Sequence, residues 1–186
     1  ILAVGQLAER KGLADLVRAC GLLRDRGERF VCHIVGQGPQ RPELERLIAE
    51  LGLEQTVLLC GPLPHEAVIE AYARAALFVL PCRQTKDGDI DGIPNVLPEA
   101  MAMGAPVIST RLSAIPELIR DGENGLLVES DLSSMAAAVE RLLDDPGLAT
   151  RLGRSGRERV VGRWSQEAAT DRLERALLEV ASREVP

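Results

Sequence analysis

The amino-acid sequence predicts an α/β protein built on a doubly wound parallel sheet, and three observations carry that expectation. Short apolar runs alternate with stretches of helical period from residue 1 onward. The first four of these runs are closed by Gly5, Gly36, Gly61 and Pro81, residue types that end regular structure at turns. Aromatic residues are only 2% of the chain while apolar residues are 46%, so the core has to be assembled from Leu, Val, Ile and Ala. At 186 residues the chain is long enough for one domain with a substantial core.

The elements follow in order. Residues 1–4 (ILAV) read as a first strand, and residues 12–24 place Leu13, Leu16, Val17, Cys20 and Leu23 on one helical face. Residues 30–35 form a second strand, and GQGP (residues 36–39) turns out of it. A helix over 42–51 stops at Gly52, a third strand covers 57–60, and Pro64 opens a helix over 64–73. Residues 77–80 make a fourth strand ended by Pro81, and the charged loop 83–93 (RQTKDGDIDGI) leads to a helix over 95–103. Gly104 and Pro106 stop that helix, and VIST (107–110) is a short buried strand. A helical segment over 116–120, a strand over 125–128, a helix capped by Asp131 and running to residue 143, and helical stretches over 146–160 and 165–180 complete the chain.

Composition narrows the function. The net charge is −6 and no basic run occurs, so there is no nucleic-acid footprint. No apolar stretch approaches the roughly 18 residues needed to span a bilayer, and no secretory leader is recognisable. Cys20, Cys32, Cys60 and Cys82 are too widely spaced for a zinc site and are expected as buried free thiols. His65 is expected on an exposed first turn and His33 packed within the sheet. Tyr72 and Trp164 are expected to pack rather than to stack on a ligand. Asp87, Asp89 and Asp91 read as solvated loop acids, and no metal is expected. The chain begins at Ile1, on a strand and without an initiator Met, which reads as a piece of a longer protein.

The richest segment is DGIPNVLPEAMAMGAPVISTRLSAIPE, residues 91–117. Asp91 sits in a loop, Glu99 about one turn inside the following helix, with seven residues between them. A loop carboxylate, the free N–H groups of a helix start and a helical carboxylate suit a ligand carrying both phosphate and sugar hydroxyls. Ligands of doubly wound sheets bind beyond the carboxyl ends of the strands, here at Gly5, Gly36, Gly61, Pro81 and near Thr110. Gly5 permits a tight exit from the first strand. Arg10 and Lys11 precede the helix at Gly12, where they form either a diphosphate site or an exposed basic pair. GQGP reads chiefly as a structural turn, and GPLPHEAV (61–68) as a capping loop or a base-binding one.

Residues 91–107 resemble the donor-binding motif of the large retaining glycosyltransferase family numbered four, which has the GT-B fold. The family pattern is an acidic residue, seven residues, Glu, then A-x-A-x-G-x-P-V, matched here by Asp91, Glu99, Ala100, Ala102, Gly104, Pro106 and Val107. The family more often carries Glu where Asp91 stands and Arg where Gln6 stands; Arg10 and Lys11 match its basic pair. The resemblance implies that residues 1–186 are one Rossmann-like nucleotide-sugar-binding domain, the C-terminal half of such an enzyme, with an N-terminal acceptor domain absent from the chain. It implies transfer of a glycosyl group from a UDP, GDP or ADP sugar to an acceptor hydroxyl with retention, by front-face attack within an ion pair, with no protein nucleophile and no further cofactor. By resemblance, Arg10, Lys11 and the helix start at Asn95, Val96 and Leu97 hold the diphosphate. Glu99 grips the ribose, Asp91 contacts the donor sugar, and Gly5, Gln6, Gly36 and Leu63 line the nucleotide. The acceptor would be a glycan or lipid, and the full-length protein would work in the cytoplasm with peripheral association at the inner membrane face. Two other readings stand beside it: a GT-B nucleotide-sugar epimerase, and a non-catalytic nucleotide- or partner-binding domain.

Overall fold

The computed structural model describes residues 1–183. Six strands, β1 (Leu2–Val4), β2 (Cys32–Val35), β3 (Val57–Gly61), β4 (Phe78–Leu80), β5 (Val107–Thr110) and β6 (Leu126–Val128), form one sheet in the order β3-β2-β1-β4-β5-β6. Every neighbouring pair is parallel, with Leu2 opposite His33 on one side and Phe78 on the other. The chain builds outward from β1 to β3, crosses back, and builds outward again from β4. That reversal falls between β1 and β4, and such a switch point is where a doubly wound sheet receives its ligand.

The helices are α1 (Leu13–Asp25), α2 (Arg41–Glu50), α3 (His65–Arg74), α4 (Val96–Ala102), α5 (Ile115–Leu118), α6 (Leu132–Asp144), α7 (Pro146–Arg163) and α8 (Gln166–Arg183). α1 packs against α2 and α6, and α4 packs against α3 and α7. The apolar face of α1 is buried as its period predicts: Leu13, Leu16, Val17, Cys20 and Leu23 are all fully covered. β1, β4, β5 and β6 are buried at every residue, and the strings of β1, β4 and β6 are accordingly apolar without alternation. Ser109 and Thr110 are the polar residues of β5. Their hydroxyls donate to the carbonyls of Leu80 (2.7 Å) and Cys82, so the buried polar groups are satisfied and the loop after β4 is tied to β5.

The β2–β3 edge departs from the sequence expectation. α3 packs over β1 and leaves the adjoining half of that face open. His33 is therefore exposed instead of packed in the sheet. Opposite it Leu58 is 40% exposed, and Cys60 on the same side of β3 is exposed where a buried thiol was expected. An apolar run does not say which faces of an edge strand a helix will cover. Cys20, Cys32 and Cys82 are buried, His65 is exposed, and Tyr72 and Trp164 pack against the core.

The element ends follow their local signals. Asp131 accepts the Ser134 N–H at 2.9 Å and caps α6. α4 closes through N–H bonds from Gly104 to the Met101 carbonyl (2.9 Å) and from Ala105 to the Ala100 carbonyl (3.1 Å), the paired bonds of a left-handed helix stop. α7 runs on to Arg163, three residues past the expected end at 160. No helix among the described residues is long and apolar enough to cross a membrane.

Candidate functional site

Three loops at the carboxyl edge of the sheet are laced together through their backbones. The Gly5 N–H donates to the Val35 carbonyl (3.0 Å), the Gly36 N–H to the Gly61 carbonyl (2.9 Å) and the Leu7 N–H to the Gln37 carbonyl (3.0 Å). Gly36 has φ +141°, and a Cβ there would stand 1.9 Å from the Gly5 carbonyl oxygen. Only Gly fits both demands, so GQGP is the structural turn its sequence indicates. It also helps line a cavity of about 400 Å³ together with Gly5, Gln6, Gly36 and Leu63. Leu63 is 39% exposed in that wall.

From Gly5 the chain reaches a tight turn, Glu9–Lys11, and reverses into α1 at Gly12, φ +67°. A Cβ on Gly12 would lie 1.8 Å from the Pro81 carbonyl oxygen. The loops after β1 and β4 therefore touch at the switch point, and the Arg83 N–H donates to the Arg10 carbonyl at 2.9 Å. This closeness sets Arg10 and Lys11 against the loop 83–93. Arg10 Nε lies 3.2 Å from Asp91 Oδ1, its Nη1 3.2 Å from Asp89 Oδ2, and its Nη2 2.9 Å from Gln6 Oε1. Lys11 Nζ lies 3.0 Å from Asp91 Oδ2. That last contact is an ion contact without hydrogen-bond alignment, since Asp91 Oδ2 is buried with no aligned donor among the described residues. The side chains of Lys11 and Asp91 are only 10% and 17% exposed, so solvent screens their attraction weakly. Burial pulls the Arg10 guanidinium down; the Asp91 hydrogen bond and the charges of Asp91 and Asp89 outweigh it and hold the group above its ordinary value. Burial also pushes the neighbouring Cys82 thiol up to about 12, with Lys11 pulling the other way.

Glu99 lies in the first turn of α4. Its Oε2 accepts a hydrogen bond from the Tyr72 hydroxyl at 3.1 Å. Tyr72 is 1% exposed, and its ring meets Phe78 edge-on at 5.6 Å and 66°. The partner of Glu99 is thus a tyrosine of α3, a residue the sequence suggested only as packing. The available signal was that the chain has one tyrosine, on a helix, and a buried phenol must find an acceptor. Asp91 and Glu99 do not touch: one carboxylate is turned onto Arg10 and Lys11, the other onto α3. At the start of α4, Leu97 is fully buried and its N–H donates to the Pro94 carbonyl (3.0 Å), while the N–H groups of Asn95 and Val96 have no partner among the described residues.

Among the described residues no group of His, Cys, Asp and Glu side chains is placed to hold a metal ion. Asp87 accepts from the Thr85 hydroxyl, and Asp89 and Asp91 face the two cations. The geometry therefore offers a cation pair at a switch point, a cavity of about 400 Å³ lined by the loops after β1, β2 and β3, and a carboxylate held by a tyrosine on the neighbouring helix.

The family described as Glycosyl transferases group 1 matches residues 1–145. The amylovoran biosynthesis glycosyltransferase AmsK of Erwinia amylovora is 36% identical over 182 residues, which is 97% of this chain and 45% of that protein. A Mycolicibacterium smegmatis protein named as a GDP-mannose-dependent alpha-(1-6)-phosphatidylinositol monomannoside mannosyltransferase is 34% identical, over 93% of this chain and 46% of that protein. The chain thus spans about half the length of these relatives. The crystal structure of Anabaena HepE in complex with UDP superposes with a TM-score of 0.82 at 19% identity, over 96% of this chain and 48% of that one, and shares the fold. With a family match over residues 1–145 and the doubly wound sheet of a GT-B half, the chain belongs to the Glycosyl transferases group 1 family.

Proposed function

We propose that the chain is the donor-binding half of a retaining glycosyltransferase of family four, transferring a glycosyl group from a nucleoside diphosphate sugar to an acceptor hydroxyl. The observation that carries this reading is the pair of cations, half-buried Arg10 and buried Lys11, held at the switch point beside an open cavity. In the reaction the bond from the anomeric carbon to the diphosphate oxygen breaks. The acceptor oxygen attacks that carbon on the same face, and its proton passes to the departing phosphate oxygen. Arg10, Lys11 and the free N–H groups of Asn95 and Val96 stabilise the charge that develops on the leaving diphosphate. Glu99 receives the ribose hydroxyls, and Gly5, Gln6, Gly36 and Leu63 line the nucleotide.

Asp91 and Asp89 pair with the two cations. A diphosphate brings at least two negative charges to the same cations and displaces part of these contacts. Asp91, released, becomes an acceptor for a hydroxyl of the donor sugar. One relative is named for GDP-mannose and one structural neighbour holds UDP, so the base is left to experiment. The acceptor is a glycan or lipid held by a domain N-terminal to this chain, and the whole enzyme works in the cytoplasm, at the inner membrane face when the acceptor is a lipid. In support, one relative is named for amylovoran biosynthesis and another for a phosphatidylinositol monomannoside.

Thermal unfolding with UDP, GDP and ADP, each at millimolar concentration, tests the reading. A ligand at about 100 times its dissociation constant adds about 2.7 kcal/mol. At this chain length that raises the midpoint by about 5–10 °C. A shift with one nucleotide identifies the base. No shift with any of the three, repeated on the protein extended to the length of its relatives, would remove the donor site.

A further inference from the structure

Tyr72 is the one buried phenol of the chain, and its hydroxyl is spent on Glu99. Three features make this more than core packing. The ring is fixed from two sides: it is 1% exposed in α3 and meets Phe78 of β4 edge-on at 5.6 Å. The hydroxyl reaches Glu99 Oε2 at 3.1 Å, while Oε1 of the same carboxylate has no partner among the described residues. Burial, and then the charge and hydrogen bond of Glu99, hold the phenol above its ordinary value, so it remains a donor throughout the physiological range. A Glu side chain has three rotatable bonds, and one fixed donor on one oxygen removes most of that freedom before any ligand arrives.

We propose that Tyr72 is a positioning residue for the donor: it holds Glu99 in the orientation that receives the two ribose hydroxyls, without itself touching the nucleotide. The proposal rests on the reading of Glu99 as the ribose ligand. A vicinal diol presents two O–H donors side by side, and a carboxylate accepts both when its plane is set. Oε1 is open, and Oε2 keeps a second lone pair after accepting from Tyr72. Losing one hydrogen bond to a charged group in the arrangement leaves the carboxylate to be ordered by the ligand itself, which is expected to weaken binding about five- to tenfold.

The experiment is calorimetric titration of wild type, Tyr72→Phe, Glu99→Ala and the double variant. The probe is whichever of UDP, GDP and ADP binds wild type most tightly, used with its 2′-deoxy and 3′-deoxy forms. Tyr72→Phe keeps the ring, its burial and its contact with Phe78, and the unliganded unfolding midpoint verifies that the fold is retained. The expected result is a five- to tenfold loss for the ribonucleotide that falls below about twofold for the deoxy forms, and a double variant that binds no more weakly than Glu99→Ala. Equal losses for ribonucleotide and deoxynucleotides would overturn the proposal, because a packing defect does not distinguish them. Wild-type binding by Tyr72→Phe alongside a clear loss in Glu99→Ala would overturn it while leaving Glu99 in the site. Wild-type binding by Glu99→Ala would remove both the ribose reading and the role of Tyr72.

Discussion

Replacing Asp91 by Asn takes one negative charge from between two cations and leaves the side chain its shape. This carboxylate stands 3.2 Å from Arg10 Nε and 3.0 Å from Lys11 Nζ. Removing one partner of a buried ion pair costs about 3–5 kcal/mol, because the remaining charge is stranded. Solvent reaches 17% of Asp91, and Arg10 keeps its contact with Asp89, so a loss of about 2–3 kcal/mol is expected here. At about 2–4 °C per kcal/mol for a chain of this size, the unfolding midpoint falls by about 4–12 °C. The same vacancy invites an anion. Inorganic diphosphate at millimolar concentration should raise the midpoint of Asp91→Asn more than that of wild type. The affinity of the variant for a free nucleoside diphosphate should rise about tenfold, or about 1.4 kcal/mol. The assay is thermal unfolding in phosphate-free buffer with and without diphosphate, followed by calorimetric titration with UDP, GDP and ADP. Equal stabilisation of variant and wild type by diphosphate would show that Asp91 does not stand where phosphate binds, and the phosphate role of Arg10 and Lys11 would be lost.

Gly12→Ala and Gly122→Ala place the same methyl at similar left-handed backbone angles, +67° and +73°, but only the first meets an obstacle, the Pro81 carbonyl at 1.8 Å. Gly122→Ala should cost about 1–2 kcal/mol from the backbone angle alone. Gly12→Ala should cost clearly more in a urea titration, and equal midpoints would mean that the β1 and β4 loops do not press together there. A thiol reagent at mildly alkaline pH should label Cys60 in the native protein and reach Cys20, Cys32 and Cys82 only after denaturation; rapid native labelling of a second thiol would contradict the packing. Burial raises Cys82 to about 12 in the folded state, against about 8.5 for a thiol in an unfolded chain. Its contribution is therefore intact below pH 8.5 or so and is lost as pH climbs from there towards about 12, because the unfolded chain releases the proton first. Cys82→Ala should flatten that alkaline decline, and an unchanged slope would assign it to other groups.

Much of the fold is legible in the chain because local chemistry announces it. Gly and Pro punctuate apolar runs, the α1 stripe recurs at helical spacing, and Asp131 stands where a cap is needed; each of these is decided within a few residues. The parallel sheet is legible too, since strands covered on both faces read as unbroken apolar strings, although β3 carries such a string at a half-open edge. The motif around Asp91 and Glu99 located the carboxylates, and Arg10 and Lys11 were visible as a basic pair before a helix.

What the tertiary structure alone decided is which groups face which. Sequence spacing separates Arg10 from Asp91 by 81 positions and Tyr72 from Glu99 by 27, and no local rule joins them. Their contacts exist because the crossover from β3 to β4 brings the first and fourth loops together at Gly12 and Pro81 and lays α3 beside α4. The exposure of His33 and Cys60 has the same origin: a strand's own residues do not reveal where a helix from another part of the chain will end its cover. The sequence by itself therefore determined the elements, their order and which residues are candidates for the site. Only the packing of distant segments could decide that the loop acid rests on the cations and that the helical carboxylate rests on a tyrosine, because those energies depend on separation in space and not along the chain.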